Sequence, residues 1–214
     1  MVLDRDRLKL YLVTDSTGKS DEEFLKALED AIEGGVTFVQ IREKNKTTAE
    51  YISLVNKALE VTRKHNVPLV VDDRVDVVLA TGADGVHVGR EDMPVEIARK
   101  ILGKEKIVGA TTKTVEQALA AYKAGADYLG VGAIYPTTTK VKTVLTSTDT
   151  LNDICNAVPI PANAIGGLNK DNLGVLKGIP IAGVCVVSAI MKAESPKEAA
   201  EGLIKAIDDM RGAL

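Results

Sequence analysis

The residues of this chain that could do chemistry sit in short, separated clusters. In FVQIREK, Gln40, Arg42 and Lys44 recur at every second position, with Val39 and Ile41 between them. On an extended strand that spacing sends the three polar side chains to one face and the two aliphatic ones to the other. Two cations and an amide on one face suit a polyanionic ligand. Further on, VVDDR sets Asp72 and Asp73 beside Arg74, and GREDMP sets Glu91 and Asp92 ahead of Pro94. Carboxylates from two neighbouring loops, completed by water and phosphate oxygens, are the donor set that Mg²⁺ prefers. The plainer alternatives are a helix N-cap or an Arg74 ion pair for Asp73, and a cap for Asp92, with Pro94 just inside the helix that follows.

Downstream, GATTK ends in Thr111, Thr112 and Lys113, whose hydroxyls either contact a ligand or cap a helix beginning near Thr114. In GVGAIYPTTTK, Pro136 stops an aliphatic run and Thr137, Thr138, Thr139 and Lys140 follow. Hydroxyls, backbone amides and one ammonium suit a phosphate-bearing ligand; the alternative is an exposed loop. AIGG sets Gly166 and Gly167 ahead of Asn169, a candidate helix cap, and VVSAI sets Val187 and Ser188 at the start of a short helix. Glycines at a helix start let backbone amides approach an anion. His87 reads as a hydrogen-bonded core residue, and His65, at a helix end, as solvent-exposed. Cys155 and Cys185 fit no metal or redox spacing and read as buried or half-buried thiols.

The elements that must position these clusters follow one rhythm. A short aliphatic run and a longer amphipathic run alternate eight times: strands at 8–14, 36–42, 67–73, 84–89, 106–111, 127–135, 160–167 and 181–188, each followed by a helix, the last at 195–210. Alternation of this kind implies a parallel sheet with right-handed crossovers, and eight pairs close into a (β/α)8 TIM barrel. An open doubly wound sheet would carry a Gly-rich dinucleotide fingerprint after an early strand; LVTDSTGKS has none, and its GKS lacks the P-loop spacing. The expectation is therefore one barrel domain over 1–214. Barrel strands are buried on both faces, so polar residues at their C-terminal ends point to the functional mouth. The loops after strands seven and eight form the usual phosphate site of this fold. The mouth then holds two anion sites, one there and one among Arg42, Lys44, Lys140 and a metal held by Asp73 and Asp92.

Composition narrows the ligands. The 214 residues are 45% hydrophobic and 27% charged, with a net charge of −3, so no global basic field draws nucleic acid or an anionic membrane. Aromatics at 3% and the absence of Trp argue against a base-stacking surface. No apolar run approaches the ~20 residues that span a bilayer, and the N-terminal apolar stretch is too short and interrupted for a signal peptide. A cytoplasmic protein acting on small molecules is expected.

Taken in order, QIREK, VDDR, DGVHVGRED, GVGAIYPTTTK, AIGGL and VVSAI resemble the thiamine phosphate synthases, and the match runs from LYLVTD to the last helix. Any one of these motifs is weak; six in order at strand ends are specific. The resemblance implies that hydroxymethylpyrimidine diphosphate is joined to a thiazole phosphate carboxylate, giving thiamine phosphate and pyrophosphate. It puts Gln40 and Thr111 at the pyrimidine, and Arg42, Lys44 and Lys140, the catalytic cations, around the diphosphate, with Asp72 beside it. It gives Mg²⁺ to Asp73 and Asp92, the thiazole to Thr137, Thr138 and Thr139, and the thiazole phosphate to Gly166, Gly167, Val187 and Ser188. It further implies a homodimer or higher homo-oligomer. The family reaction is dissociative, so the protein must stabilise charge gathering on the leaving diphosphate. One ammonium at ~4 Å supplies ~4 kcal/mol at an effective dielectric near 20, short of the ~8–23 kcal/mol of enzymatic rate enhancements; several cations and a metal are expected.

Four departures from the family pattern bear on substrate choice and rate. Asp72 stands where asparagine is usual, Thr111-Thr112-Lys113 where a serine and often a histidine occur, Val141-Lys142-Thr143 where an acidic residue follows the lysine, and Asn163 interrupts an aliphatic strand. The competing readings are a thiazole tautomerase on the same scaffold, another phosphate-sugar barrel supported only by AIGG and VVSA, and a non-catalytic sensor of thiazole or thiamine phosphate. The tautomerase needs no diphosphate or Mg²⁺ site, and the retained Gln40, Arg42, Lys44, Asp73, Asp92 and Lys140 weigh against it.

Overall fold

The long helices begin where the sequence writes their caps. Ser20 accepts from the Glu23 N–H while the Glu23 carboxylate accepts from the Ser20 N–H, and Thr47 and Glu50 repeat the arrangement. Each such cap stabilises by ~1 kcal/mol. Between helices, short Val-, Leu- and Ile-rich runs have nowhere to hide their two apolar faces except inside a sheet covered on both sides.

The computed structural model describes residues 3–137 and 144–212. Its order is β1 (Leu10–Val13), α1 (Asp21–Glu33), β2 (Phe38–Ile41), α2 (Thr48–Lys64), β3 (Leu69–Asp72), α3 (Val75–Thr81), β4 (Gly85–Val88), α4 (Val95–Leu102), β5 (Ile107–Thr112) and α5 (Val115–Lys123). Then come β6 (Tyr128–Gly132), α6 (Thr148–Ala157), β7 (Ala162–Ile165), β8 (Gly183–Val186), α7 (Ser188–Met191) and α8 (Pro196–Gly212). The eight strands are all parallel and close on themselves, β8 meeting β1 through Leu10↔Val184 and Tyr11↔Cys185. This is the (β/α)8 barrel expected from the rhythm of the sequence.

Alternation along the strands divides the core in two. Val39, Ile41, Val71, Val86 and Val131 point outward into the layer beneath the helices. Tyr11, Val13, Phe38, Val70, Tyr128 and Cys185 fill the barrel interior. A 3-10 turn at Arg5–Leu8, which the sequence did not announce, closes the lower end with Leu8 fully buried. Asn163 explains its place in an otherwise aliphatic strand here: its Nδ2 donates to the Leu8 carbonyl at 2.7 Å and ties that plug to β7.

Three local expectations change. The helix expected after β7 is only a 3-10 turn, Leu173–Leu176. Asn169 Oδ1 accepts from the Asp171 N–H and Asn172 Oδ1 from the Asn169 N–H, both at 2.9 Å, so side chains take the amides that a helix would use. Pro94 occupies the cap position of α4, which begins at Val95, rather than its first turn. His65 is half-buried and its Nε2 lies 3.2 Å from Glu29 Oε1, so it is not free in solvent. Among the described residues no helix is long and apolar enough to cross a membrane.

Candidate active site

At the C-terminal ends of the strands the barrel opens into a cavity of about 230 Å³. Gln40 and Thr111 reach it from β2 and β5, and Arg42 and Asp72 from one rim. Thr137, Gly166, Gly167, Val187 and Ser188 line the opposite side. Thr138, Thr139 and Lys140 lie outside the described residues. Gly166 and Gly167 have φ of +105° and +65°, and a Cβ on them would come within 2.4 Å of Ala133 Cβ and 2.7 Å of the Pro136 carbonyl. Only glycine allows the β7 loop to lie flat against the β6 loop while its backbone edges the cavity.

The charged rim is a single cluster. Lys44 Nζ lies 2.9 Å from Asp72 Oδ2 and also pairs with Asp73 Oδ2; Arg42 Nε is 3.6 Å from Asp72 Oδ2. Desolvation pulls the Lys44 ammonium down, but the carboxylates of Asp73 and Asp72 outweigh it and hold its pKa above the usual lysine value. Burial pushes the Asp72 carboxyl above its usual range; Lys44 and Arg42 offset this only in part, and the Asp92 charge adds to it. Asp92 is raised first by burial and then by a hydrogen bond and like charge from Asp73. The pair thus favours the Lys44 charge while the Asp72 charge remains costly.

Neither Asp73 nor Asp92 serves as the helix cap that the sequence allowed for it. α3 and α4 have no side-chain cap, and Arg74 pairs with Asp76 at 2.5 Å. Asp73 sits at φ +61°, with its N–H donating to the His87 carbonyl at 2.9 Å. A non-glycine residue in that conformation is uncommon, and here it turns the chain so that the carboxylate meets Lys44 and Asp92 rather than α3. Asp92 Oδ2 accepts from the Gly89 N–H at 2.9 Å. Among the described residues no group of three or more His, Cys, Asp or Glu side chains is arranged to hold a metal.

At β5 the two readings of the hydroxyls separate. Thr114 caps α5, accepting from the Gln117 N–H, while Thr111 faces the cavity and its Oγ1 lies 2.9 Å from His87 Nε2. Lys113, a departure from the family pattern, donates from Nζ to the carbonyls of Gly132 at 2.6 Å and Val144 at 2.7 Å. It therefore clips together the two flanks of the segment that carries TTTK. His87 is buried and hydrogen-bonded as expected, with Nδ1 3.0 Å from the Tyr128 hydroxyl.

The sequence reading did not single out Tyr11 and Tyr128. Both are fully buried inside the barrel, with hydroxyls 2.8 Å apart, and Gln40 Nε2 donates to Tyr11 Oη at 2.7 Å. The signal was present: two polar-tipped side chains on strands that are otherwise aliphatic need hydrogen-bond partners. Burial pushes the Cys185 thiol well up and the Cys155 thiol to about 11, so neither resembles an activated nucleophile.

Comparison with known proteins agrees with this geometry. A family model described as thiamine monophosphate synthase matches residues 10–190. The chain is 49% identical to thiamine-phosphate synthase 2 of Streptococcus pneumoniae, covering 97% of this chain and 99% of that one. It is 48% identical to the thiamine-phosphate synthase of Enterococcus faecalis, covering 96% and 97%. The solved thiamine phosphate pyrophosphorylase of Pyrococcus furiosus superposes with a TM-score of 0.88 at 40% identity, covering 96% of this chain and 98% of that one. A barrel of this topology, with its polar clusters gathered at one mouth and relatives this similar along almost the whole length, leaves one conclusion: the chain belongs to the thiamine monophosphate synthase family.

Proposed function

We propose that this protein is a thiamine-phosphate synthase, joining 4-amino-2-methyl-5-hydroxymethylpyrimidine diphosphate to thiazole phosphate or its carboxylate, with release of pyrophosphate. The observation that carries the reading is the shape of the mouth. A ring-sized cavity floored by Gln40 and Thr111 has the Arg42–Lys44 cations on one rim and the Gly166–Gly167 and Val187–Ser188 backbone on the other. That arrangement suits a ring carrying a diphosphate on one side and a second phosphate opposite.

Arg42 and Lys44 bind the diphosphate and stabilise the charge that gathers on it as the C–O bond to the pyrimidine methylene breaks. Lys140, on the segment that follows Thr137, joins them. The exocyclic amine of the ring feeds electrons to the methylene cation left behind, and the thiazole nitrogen then attacks it. Val13, Ile165, Leu168 and Val186 line the cavity with apolar surface and keep water from that cation. Thr137 to Thr139 orient the thiazole, and the main chain at Gly166, Gly167, Val187 and Ser188 receives its phosphate. No protein nucleophile is needed.

Asp73 and Asp92 fit a divalent cation. They are hard oxygen donors on adjacent loops, and the Asp73 carboxylate adds to the burial that raises the Asp92 carboxyl, a repulsion that a cation relieves. Bound there, Mg²⁺ supplies positive charge for the leaving diphosphate oxygens. The reading treats residues 1–214 as one cytoplasmic barrel unit that self-associates; light scattering tests the association.

The experiment is pyrophosphate release with both substrates, with and without Mg²⁺, in the parent protein and in Asp92→Asn. Metal-dependent release that forms thiamine phosphate, with a weakened metal titration in the variant, supports the reading. Tight binding of the thiazole phosphate without turnover would overturn it in favour of a tautomerase or sensor. An unchanged metal titration would remove Asp92 from the site.

A further inference from the structure

The floor of the cavity has a direction. Gln40, Tyr11, Tyr128, His87 and Thr111 form one unbroken series of hydrogen bonds across the barrel interior, each step between 2.7 and 3.0 Å. A phenol has one hydrogen to give, and a neutral imidazole has one donor and one acceptor nitrogen. With the Gln40 amide donating to Tyr11 at one end, the Tyr11 hydrogen goes to Tyr128 and the Tyr128 hydrogen to His87 Nδ1. The Nε2–H of His87 then goes to Thr111. Both ends of the series open into the cavity. Gln40 Oε1 is left to accept there, and the Thr111 hydroxyl, its oxygen already accepting, is left to donate.

The fold makes room for this series. A Cβ on Gly109 would lie 2.1 Å from Tyr128 Cζ, and one on Gly130 would lie 3.2 Å from His87 Cε1. Tyr11, Phe38 and Tyr128 pack edge to face with centroids 4.8 to 5.8 Å apart, which fixes the two phenols in place. A glutamine on its own presents oxygen or nitrogen equally well by rotating its amide. Here the amide can turn only if every donor along the series reverses with it.

We propose that Tyr11, Tyr128 and His87 are positioning residues that set the hydrogen-bond polarity of the cavity, and that this polarity selects a ring with an exocyclic amine and an unprotonated ring nitrogen over its oxo counterpart. This rests on the reading that the cavity takes a pyrimidine diphosphate. An aminopyrimidine donates from its amine to Gln40 and accepts at a ring nitrogen from Thr111. The oxo form presents a carbonyl and a ring N–H, the reverse pattern, and leaves both cavity groups unmatched.

Two measurements test it. His65 and His87 are the only histidines of the chain, so nitrogen NMR of the imidazoles, recorded at a pH where the spectra themselves show neutral rings, reads the His87 tautomer directly. The expected state is a pyridine-like Nδ1 and a protonated Nε2. A protonated Nδ1 would reverse the series and overturn the proposal whatever the protein turns over. Calorimetry then compares the 4-amino and 4-oxo pyrimidine diphosphates. The parent protein is expected to favour the amine by about a hundredfold, two mismatched buried groups being involved. Tyr128→Phe, and independently Tyr11→Phe, should cut that preference about tenfold while leaving the Kd for thiazole phosphate within about twofold. A preference untouched in both variants, or an equal loss for all three ligands, would show a merely structural role. Parent protein that binds both pyrimidines equally overturns the polarity alone. Parent protein that binds neither overturns the substrate reading, and the specificity falls with it.

Discussion

Replacing Lys113 with methionine asks whether one side chain holds the sixth loop to the barrel. Methionine keeps much of the length and removes the ammonium. Among the described residues the hydrogen bonds lost are those at 2.6 and 2.7 Å to the carbonyls of Gly132 and Val144. Hydrogen bonds to charged groups contribute ~1.5–3 kcal/mol each. The bond to Val144 lies at the exposed surface, where water replaces much of it, so the pair together is worth about 2–3 kcal/mol. If the loss is felt globally, Tm falls by about 4–12 °C for a chain of this length. If it is felt only where the loop leaves the barrel, Tm moves less and opening is local. The second possibility is distinguished by limited proteolysis, which should then cut between Gly132 and Val144 faster than in the parent. In either case Thr137 and the TTTK segment lose an anchor at both flanks. Pyrophosphate release should fall at saturating substrate, because the segment proposed to meet the thiazole loses the contact between its two flanks. Unchanged Tm, proteolysis and turnover in the Lys113→Met protein would refute the reasoning.

Lys44→Met removes the cation shared by Asp72 and Asp73; pyrophosphate release should drop about a hundredfold or more, with half-saturation for the diphosphate rising. Stability should fall by only about 1 kcal/mol in urea titration, because Lys44 is half-exposed and screened. Gly109→Ala puts a methyl group 2.1 Å from the Tyr128 ring; a loss of about 3 kcal/mol or more is expected by denaturant unfolding, and parental stability would mean that Tyr128 is not held where the structure has it. Cys155, at about 11 against a reference of 9.0, should alkylate about a hundredfold slower at pH 8 than an unperturbed thiol. Its rate should rise about tenfold per pH unit towards 11, since the thiolate is what reacts. Buried Cys185 should stay unlabelled until the protein unfolds.

Much of the barrel is local, and local information is what a sequence carries openly. The eight strands, and the helices after all of them but β7, follow from hydrophobic period, from the Ser20 and Thr47 capping boxes, and from glycines at the junctions. The alternation in FVQIREK placed Val39 and Ile41 under the helices and Gln40 inside, because a closed parallel sheet leaves no third choice. The clusters at the strand ends were legible for the same reason: polar residues on strands buried on both faces stand out.

Closure of the barrel decided the rest. Asp73 and Asp92 were expected to converge from neighbouring loops, but that Lys44 pairs with both Asp72 and Asp73 beside them is decided by the positive φ of Asp73 and the juxtaposition of the two loops. Lys113 looked like a lysine near a strand end; its partners lie 19 and 31 residues away. Tyr11 and Tyr128 are 117 residues apart and belong to strands β1 and β6 on different sides of the ring. No periodicity in either strand announces that their hydroxyls touch. The sequence by itself determined which faces point inward and which residue types wait at the mouth. The tertiary structure alone decided which of those inward side chains meet, because contacts across a barrel depend on the register of eight strands at once.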